Sequence, residues 1–170
     1  CASRCLGIDN NESGISYLKN EMGYQDVECV DLIKDESRLI RQSSWDYLLL
    51  GEVLEHIDDP VQFLRCLRKK YATHVNELLI TVPNAFGRDI IRRVKQNKEP
   101  INTDHRYWFT PYTLAKVVWA AGLSIRYFRL CQNGVVKRRS WLKNLRLKNQ
   151  PLTRNNIILV AGFDEQSTRP

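Results

Sequence analysis

Leu48-Leu49-Leu50-Gly51-Glu52-Val53-Leu54-Glu55-His56-Ile57-Asp58-Asp59-Pro60 is the stretch that decides the fold. Three leucines after Trp45-Asp46-Tyr47 make a short continuous apolar run, which suits the centre of a parallel sheet. The run stops at Gly51 and gives way to an acidic loop. Asp59-Pro60 then predicts a helix start, with aspartate as N-cap and proline at the first helical position. Open α/β sheets place their ligands beyond the carboxyl ends of the strands. Glu52, Glu55 and His56 stand there, so chemistry is expected at this loop.

Outward from this stretch, strands and helices alternate. Residues 4–9 read as a strand, 12–22 as a helix closed by Gly23, 27–32 and 46–51 as strands, and 60–71 as a helix. A strand over 77–83 ends at Pro83-Asn84, and 86–98 reads as an Arg- and Lys-rich helix or lid. Thr110-Pro111 opens a helix that runs to Ala121 and ends at Gly122, with every start and stop signal in place. Residues 123–130 and 157–163 read as strands, and 164–170 as a polar tail. This alternation predicts a mostly parallel sheet with helices on both faces. The last two strands have one short helical stretch between them, which permits an antiparallel final strand.

The 170 residues suit a single domain, and 43% hydrophobic content is ordinary for a globular chain. No apolar run approaches the roughly 18–20 residues that cross a bilayer, and no signal-like segment opens the chain. The expected location is cytoplasmic. The chain starts at Cys1, just before a strand, and reads as part of a longer protein. None of the five cysteines forms a C-x-x-C pair, so buried reduced thiols are expected rather than a zinc site. Charge is uneven: residues 1–104 hold 14 Lys/Arg against 17 Asp/Glu, whereas 105–163 hold 11 Lys/Arg and no acidic residue. Such asymmetry points to an anionic partner.

Four segments in register carry a family likeness: GEVLEHIDDP at 51–60, LLITVPNAFG at 78–87, DHRYWFTPYTL at 104–114 and AGL at 121–123. On these the chain resembles class I S-adenosylmethionine-dependent methyltransferases of the bacterial and archaeal branch. The resemblance implies an α/β, Rossmann-like sheet, mostly parallel with an antiparallel last strand. It implies S-adenosylmethionine as cofactor, with Asp9 on the ribose hydroxyls, Asp31 and Leu32 at the adenine, and Gly51 and Glu52 beside the methionine part. Asn10 is grouped with them; the lesser alternative for Asp9 is to cap the following helix, and capping by Asn10 or Asn11 is compatible with its ribose role. The family's first strand and glycine-rich loop have no counterpart in the 170 residues. The chain is therefore expected to form a partial methyltransferase domain over residues 1–163.

Glu52, Glu55 and His56 have E-x-x-E-H spacing, which puts both carboxylates on one face if the segment is helical. Two carboxylates and an imidazole can bind a divalent cation. Ubiquinone-biosynthesis O-methyltransferases and small-RNA 2′-O-methyltransferases use a similar arrangement, the latter with a distant histidine that His105 could match. The preferred expectation is metal-free: Glu55, His56 and His105 as catalytic residues, with His56 or Glu55 taking a hydroxyl proton. A metal on Glu52, Glu55, His56 and His105 stays an alternative.

Residues 137–148 form a basic amphipathic stretch expected as an insert helix over 134–149, with Trp141, Leu142 and Leu145 on one side. Lys137, Arg138, Arg139, Lys143, Arg146 and Lys148 could meet an anionic membrane surface, a lipid-linked substrate or nucleic acid. The expected function is methylation of a hydroxyl, on a sugar, glycan or lipid-linked acceptor. The alternatives are metal-dependent RNA 2′-O-methylation, and a non-catalytic domain that binds an anionic partner through its basic C-terminal third.

Overall fold

The computed structural model describes residues 4–132 and 151–164. The expected insert helix over 134–149, with the six cations named above, lies outside the described residues, as does most of the polar tail. Strand β1 (Gly7–Asp9) pairs in parallel with β2 (Val27–Cys29). Strand β3 (Trp45–Gly51) pairs in parallel with β4 (Val75–Pro83). Strand β6 (Asn156–Gly162) lies between β4 and β5 (Ser124–Cys131) and is antiparallel to both. The sheet is therefore in two pieces, β1-β2 and β3-β4-β6-β5, and the final strand is the antiparallel one.

The helices start where their caps stand. The Asn11 side chain accepts from the Gly14 N–H to open α1 (Glu12–Asn20). Ser37 caps α2 (Arg38–Arg41), a short helix that the apolar pattern does not announce. Asp59 caps α3 (Pro60–Tyr71), which has proline in its first turn, and Thr110 with Thr113 forms a reciprocal capping box on α5 (Pro111–Ala120). Between these two lies α4 (Arg88–Lys95), which has no side-chain cap and no buried residue. Helix α1 ends two residues earlier than its pattern suggests, and Met22 is exposed.

The core lies on one face of the larger sheet. Leu50, Ile80 and Leu159 are in register across β3, β4 and β6, so their side chains share that face. Leu64 and Leu67 of α3 and Leu114 and Val118 of α5 complete it. The expectation of helices on both faces does not hold around β3: Leu49, on the other face, is 60% exposed, and Tyr47 is exposed too. Cys5 and Cys29 are exposed rather than buried, and the four described cysteines are free thiols. No helix among the described residues is long and apolar enough to cross a membrane.

Polar bonds join the smaller sheet to the larger one. The Ser37 N–H donates to the Tyr71 hydroxyl at 2.7 Å, and the Ser37 hydroxyl donates to Glu28 of β2. Lys70 of α3 donates to the carbonyls of Leu32 and Asp35 at 3.1 and 2.6 Å. Arg4 bonds Asp26 at 3.2 Å and lies over the Trp45 ring at 5.1 Å. Tyr71 is wholly buried, so losing its hydroxyl would strand the Ser37 N–H. Tyr71→Phe should cost about 1–3 kcal/mol in urea unfolding. An unchanged midpoint would mean that this bond does not tie the two pieces together.

Candidate active site

Chain direction changes sharply after β3. Gly51 ends the strand, and Glu52 adopts a left-handed backbone with φ of 54° while its N–H still donates to the Thr81 carbonyl at 3.0 Å. A single 3-10 turn follows over Leu54–His56, pinned by the fully buried Leu54. Only Leu54, Glu55 and His56 are in the turn. Glu52 precedes it, so the face shared by residues i and i+3 of a helix does not form. The Glu52 carboxylate instead accepts from the Asn156 side chain at 2.8 Å. This separates Glu52 from the other three metal candidates.

A segment 50 residues further on completes the cluster. The N–H groups of Arg106 and Tyr107 donate to the Glu55 carbonyl at 2.7 and 3.3 Å. Arg106 Nε donates to Asp58 Oδ1 at 2.8 Å, and the Tyr107 hydroxyl donates to the Asp58 carbonyl at 2.6 Å. Behind them the buried Phe109 accepts from the Ala85 N–H at 2.7 Å through its carbonyl, which joins the segment to the end of β4. These bonds bring His105 against the 3-10 turn.

His56 Nδ1 is 2.9 Å from the Asp104 carbonyl oxygen. A carbonyl can only accept, so Nδ1 carries a proton, and in the neutral ring Nε2 keeps the lone pair. The His56 and His105 rings meet edge to face at 4.8 Å, and His105 lies 5.2 Å from the Trp108 ring. Glu55 is 1% exposed, and among the described residues neither carboxylate oxygen has a hydrogen-bond partner. Burial pushes its pKa up, partly offset by its own backbone N–H and by His56. His105 Nδ1 is also buried with no partner among the described residues, and burial pushes the His105 pKa down. One ligand atom from each of Glu55, His56 and His105 lies within 4.8 Å of the other two. Unsatisfied buried polar atoms are rare in native proteins and mark places where something else binds or reacts. Their convergence fits a divalent cation as well as proton transfer, since a carboxylate and two imidazoles are common ligands.

The cofactor candidates stand at strand ends. Asp9 closes β1 and is exposed; one carboxylate oxygen accepts from the Asn11 N–H at 2.9 Å, and the other makes no bond among the described residues. That open oxygen fits a ribose hydroxyl donor, while Asn11 does the helix capping. Asn10 is exposed beside it. Asp31 folds into its own turn, accepting from Ile33 N–H at 3.0 Å and pairing with Lys34 at 3.1 Å; these bonds, led by the one from Ile33, hold its pKa down. Leu32 is half-buried against the core, and Gly51 is exposed at the end of β3. His74 sits in the turn before β4, apart from the cluster.

Asn84, directly after β4, is a site residue that pattern reading missed. It is buried, its amide donates to the carbonyls of Leu152 and Arg154 at 2.8 and 2.7 Å, and it braces the segment before β6. Its signal was a polar residue at the end of a buried strand. The opposite charges of Asp58 and Arg106 were a weaker signal for the bond that fastens the His105 segment to the 3-10 turn.

A methyltransferase-domain family profile matches residues 4–127. The chain belongs to this family and is an S-adenosylmethionine-dependent methyltransferase. Solved structures share the fold. An S-adenosylmethionine-dependent methyltransferase from Archaeoglobus fulgidus aligns at 17% identity and TM-score 0.57, over 92% of this chain and 75% of that one. One from Mesorhizobium loti aligns at 14% identity and TM-score 0.56, over 95% and 81%. The small RNA methyltransferase HEN1 aligns at 16% identity and TM-score 0.62, over 97% of this chain and 21% of that one. No curated protein matches the sequence.

The raised pKa of Glu55 has a consequence for stability. The folded chain binds that proton more tightly than the unfolded chain, so the contribution is fully present below the ordinary glutamate pKa of 4.5 and is lost as pH rises through the folded value. Glu55→Gln should therefore raise the melting temperature at about pH 7.5, by the equivalent of about 1–3 kcal/mol, and change it little near about pH 4. A gain of equal size at both pH values would show that charge burial is not the cause. His105 acts in the opposite sense, its contribution being lost as pH falls below the ordinary 6.5 toward the lower folded value.

Proposed function

We propose that this enzyme methylates a hydroxyl oxygen, with His56 as the base. The observation that carries the reading is a buried Glu55 with no partner for either oxygen among the described residues, set beside two imidazoles. When bound, S-adenosylmethionine would supply an electrophilic methyl group on a sulfonium sulfur. His56 Nε2 would take the proton that the acceptor hydroxyl gives up. His56 is suited to this because the Asp104 carbonyl holds the proton on Nδ1. The imidazolium that forms is stabilised by Glu55, a carboxylate with no competing partner. His105 walls the other side and, kept neutral by burial, does not repel the new charge. Much of the acceleration would come from holding the hydroxyl in line. A sugar or glycan hydroxyl, free or lipid-linked, is the acceptor class in this reading.

A second reading is favoured by the spacing of the ligand atoms. In it Glu55, His56 and His105 hold a divalent cation, which would polarise the acceptor hydroxyl and lower its pKa. The fold shared with the small RNA methyltransferase HEN1 supports RNA 2′-O-methylation as its specific form.

The test uses methyl-labelled S-adenosylmethionine with cell extract as the acceptor source. The label should appear in a base-stable methyl ether, and His56→Ala should reduce incorporation by about 10²–10⁴-fold. Label in a base-labile ester or a methylamine would overturn the hydroxyl reading. Loss of transfer on chelation and recovery with magnesium or manganese would select the metal-dependent form.

A further inference from the structure

Helix α4 and the 3-10 turn Pro151–Thr153 border a groove of about 380 Å³, lined by Arg88, Ile91, Arg92, Lys95, Gln96 and Thr153. Three cations line it and no acid does. Positions 88, 92 and 95 fall on one side of the helix and span about 10 Å along its axis. Like charges at i and i+4 weaken a helix, and eight residues are few for a helix to stand alone. Helix α4 buries no residue and lacks a side-chain cap to offset this. Outside the lining, Asp89 pairs with one of the three cations, Arg92, at 3.2 Å and accepts from the Asn155 side chain at 3.0 Å. Arg88 and Lys95 make no ion pair among the described residues.

The groove lies at the same end of the sheet as the histidine cluster. Helix α4 follows the turn after the carboxyl end of β4, as the 3-10 turn of Glu55 follows the carboxyl end of the parallel β3. Asn84 holds the carbonyls of residues 152 and 154, Asn155 holds Asp89, and Asn156 holds Glu52. One run of chain thus joins the groove to the loop of the candidate active site.

We propose that this groove binds a diphosphate group carried by the methyl acceptor. Arginine recognises phosphate oxygens through paired N–H donors, and lysine adds a point charge. A compact concavity with three cations suits two adjacent phosphates better than an extended polynucleotide, which needs a longer charged track. The proposal deepens the hydroxyl-methylation reading by naming the acceptor class, and rests on it for the link to catalysis.

Inorganic pyrophosphate is titrated calorimetrically into the full chain at about 0.15 M ionic strength. Binding is expected, tighter than for orthophosphate, and should weaken at least about tenfold in Arg88→Gln/Arg92→Gln/Lys95→Gln. Arg93→Gln, which does not line the groove, should bind as the parent does. Because α4 contributes nothing to the core, the triple variant should keep its melting temperature. Competition by uridine diphosphate would indicate a nucleotide carrier, and competition by vesicles bearing farnesyl diphosphate a lipid carrier. No pyrophosphate binding, or binding unaffected by the triple variant, overturns the proposal. So does tighter binding of a single-stranded RNA oligonucleotide lost in the same variant. The titration contains no methyl donor, so its failure is separable from failure of the hydroxyl reading.

Discussion

The Glu55 carbonyl oxygen holds the candidate site together. It accepts N–H bonds from Arg106 and Tyr107, and Asp58 fastens the same two residues through their side chains. Without that docking His105 would not reach Glu55, and the Asp104 carbonyl would not set the tautomer of His56. The 3-10 turn makes it possible by burying Leu54 and Glu55 together, which leaves the Glu55 carbonyl facing the incoming loop. Catalytic geometry here depends on backbone bonds as much as on the side chains that carry the chemistry.

The same arrangement is costly for the fold. Burial raises the pKa of Glu55, lowers that of His105, and leaves three of their polar atoms unpartnered. The core under β3, β4 and β6 shows no such conflict, with Leu50, Ile80 and Leu159 aligned on one face against α3 and α5. An apolar core aligned across three strands therefore carries a site where three of the five unpartnered buried side-chain atoms among the described residues converge, as expected where function competes with stability.

Local signals made much of the fold legible. Asp59-Pro60 and Thr110-Pro111 start helices where their chemistry dictates, and the element order left room for the antiparallel last strand that the family resemblance implies. Failures came where tertiary context decides. Leu48–Leu50 looked like a fully buried run, yet Leu49 faces outward because the core covers one face. Glu52 looked like a neighbour of Glu55, but a left-handed backbone before the turn sends it to Asn156. Helix α2 rests on one serine cap and a tyrosine hydroxyl 34 residues away, which periodicity cannot show. His105 was legible as a candidate, whereas the latch that positions it needed three dimensions.

The most direct test of the account is long-range proton–nitrogen NMR of the imidazoles in the full chain. The account predicts His56 as the Nδ1–H tautomer with Nε2 unprotonated, and His105 titrating below the ordinary histidine value. A His56 protonated on Nε2 in the neutral ring, or a His105 that titrates as an exposed histidine does, would contradict it.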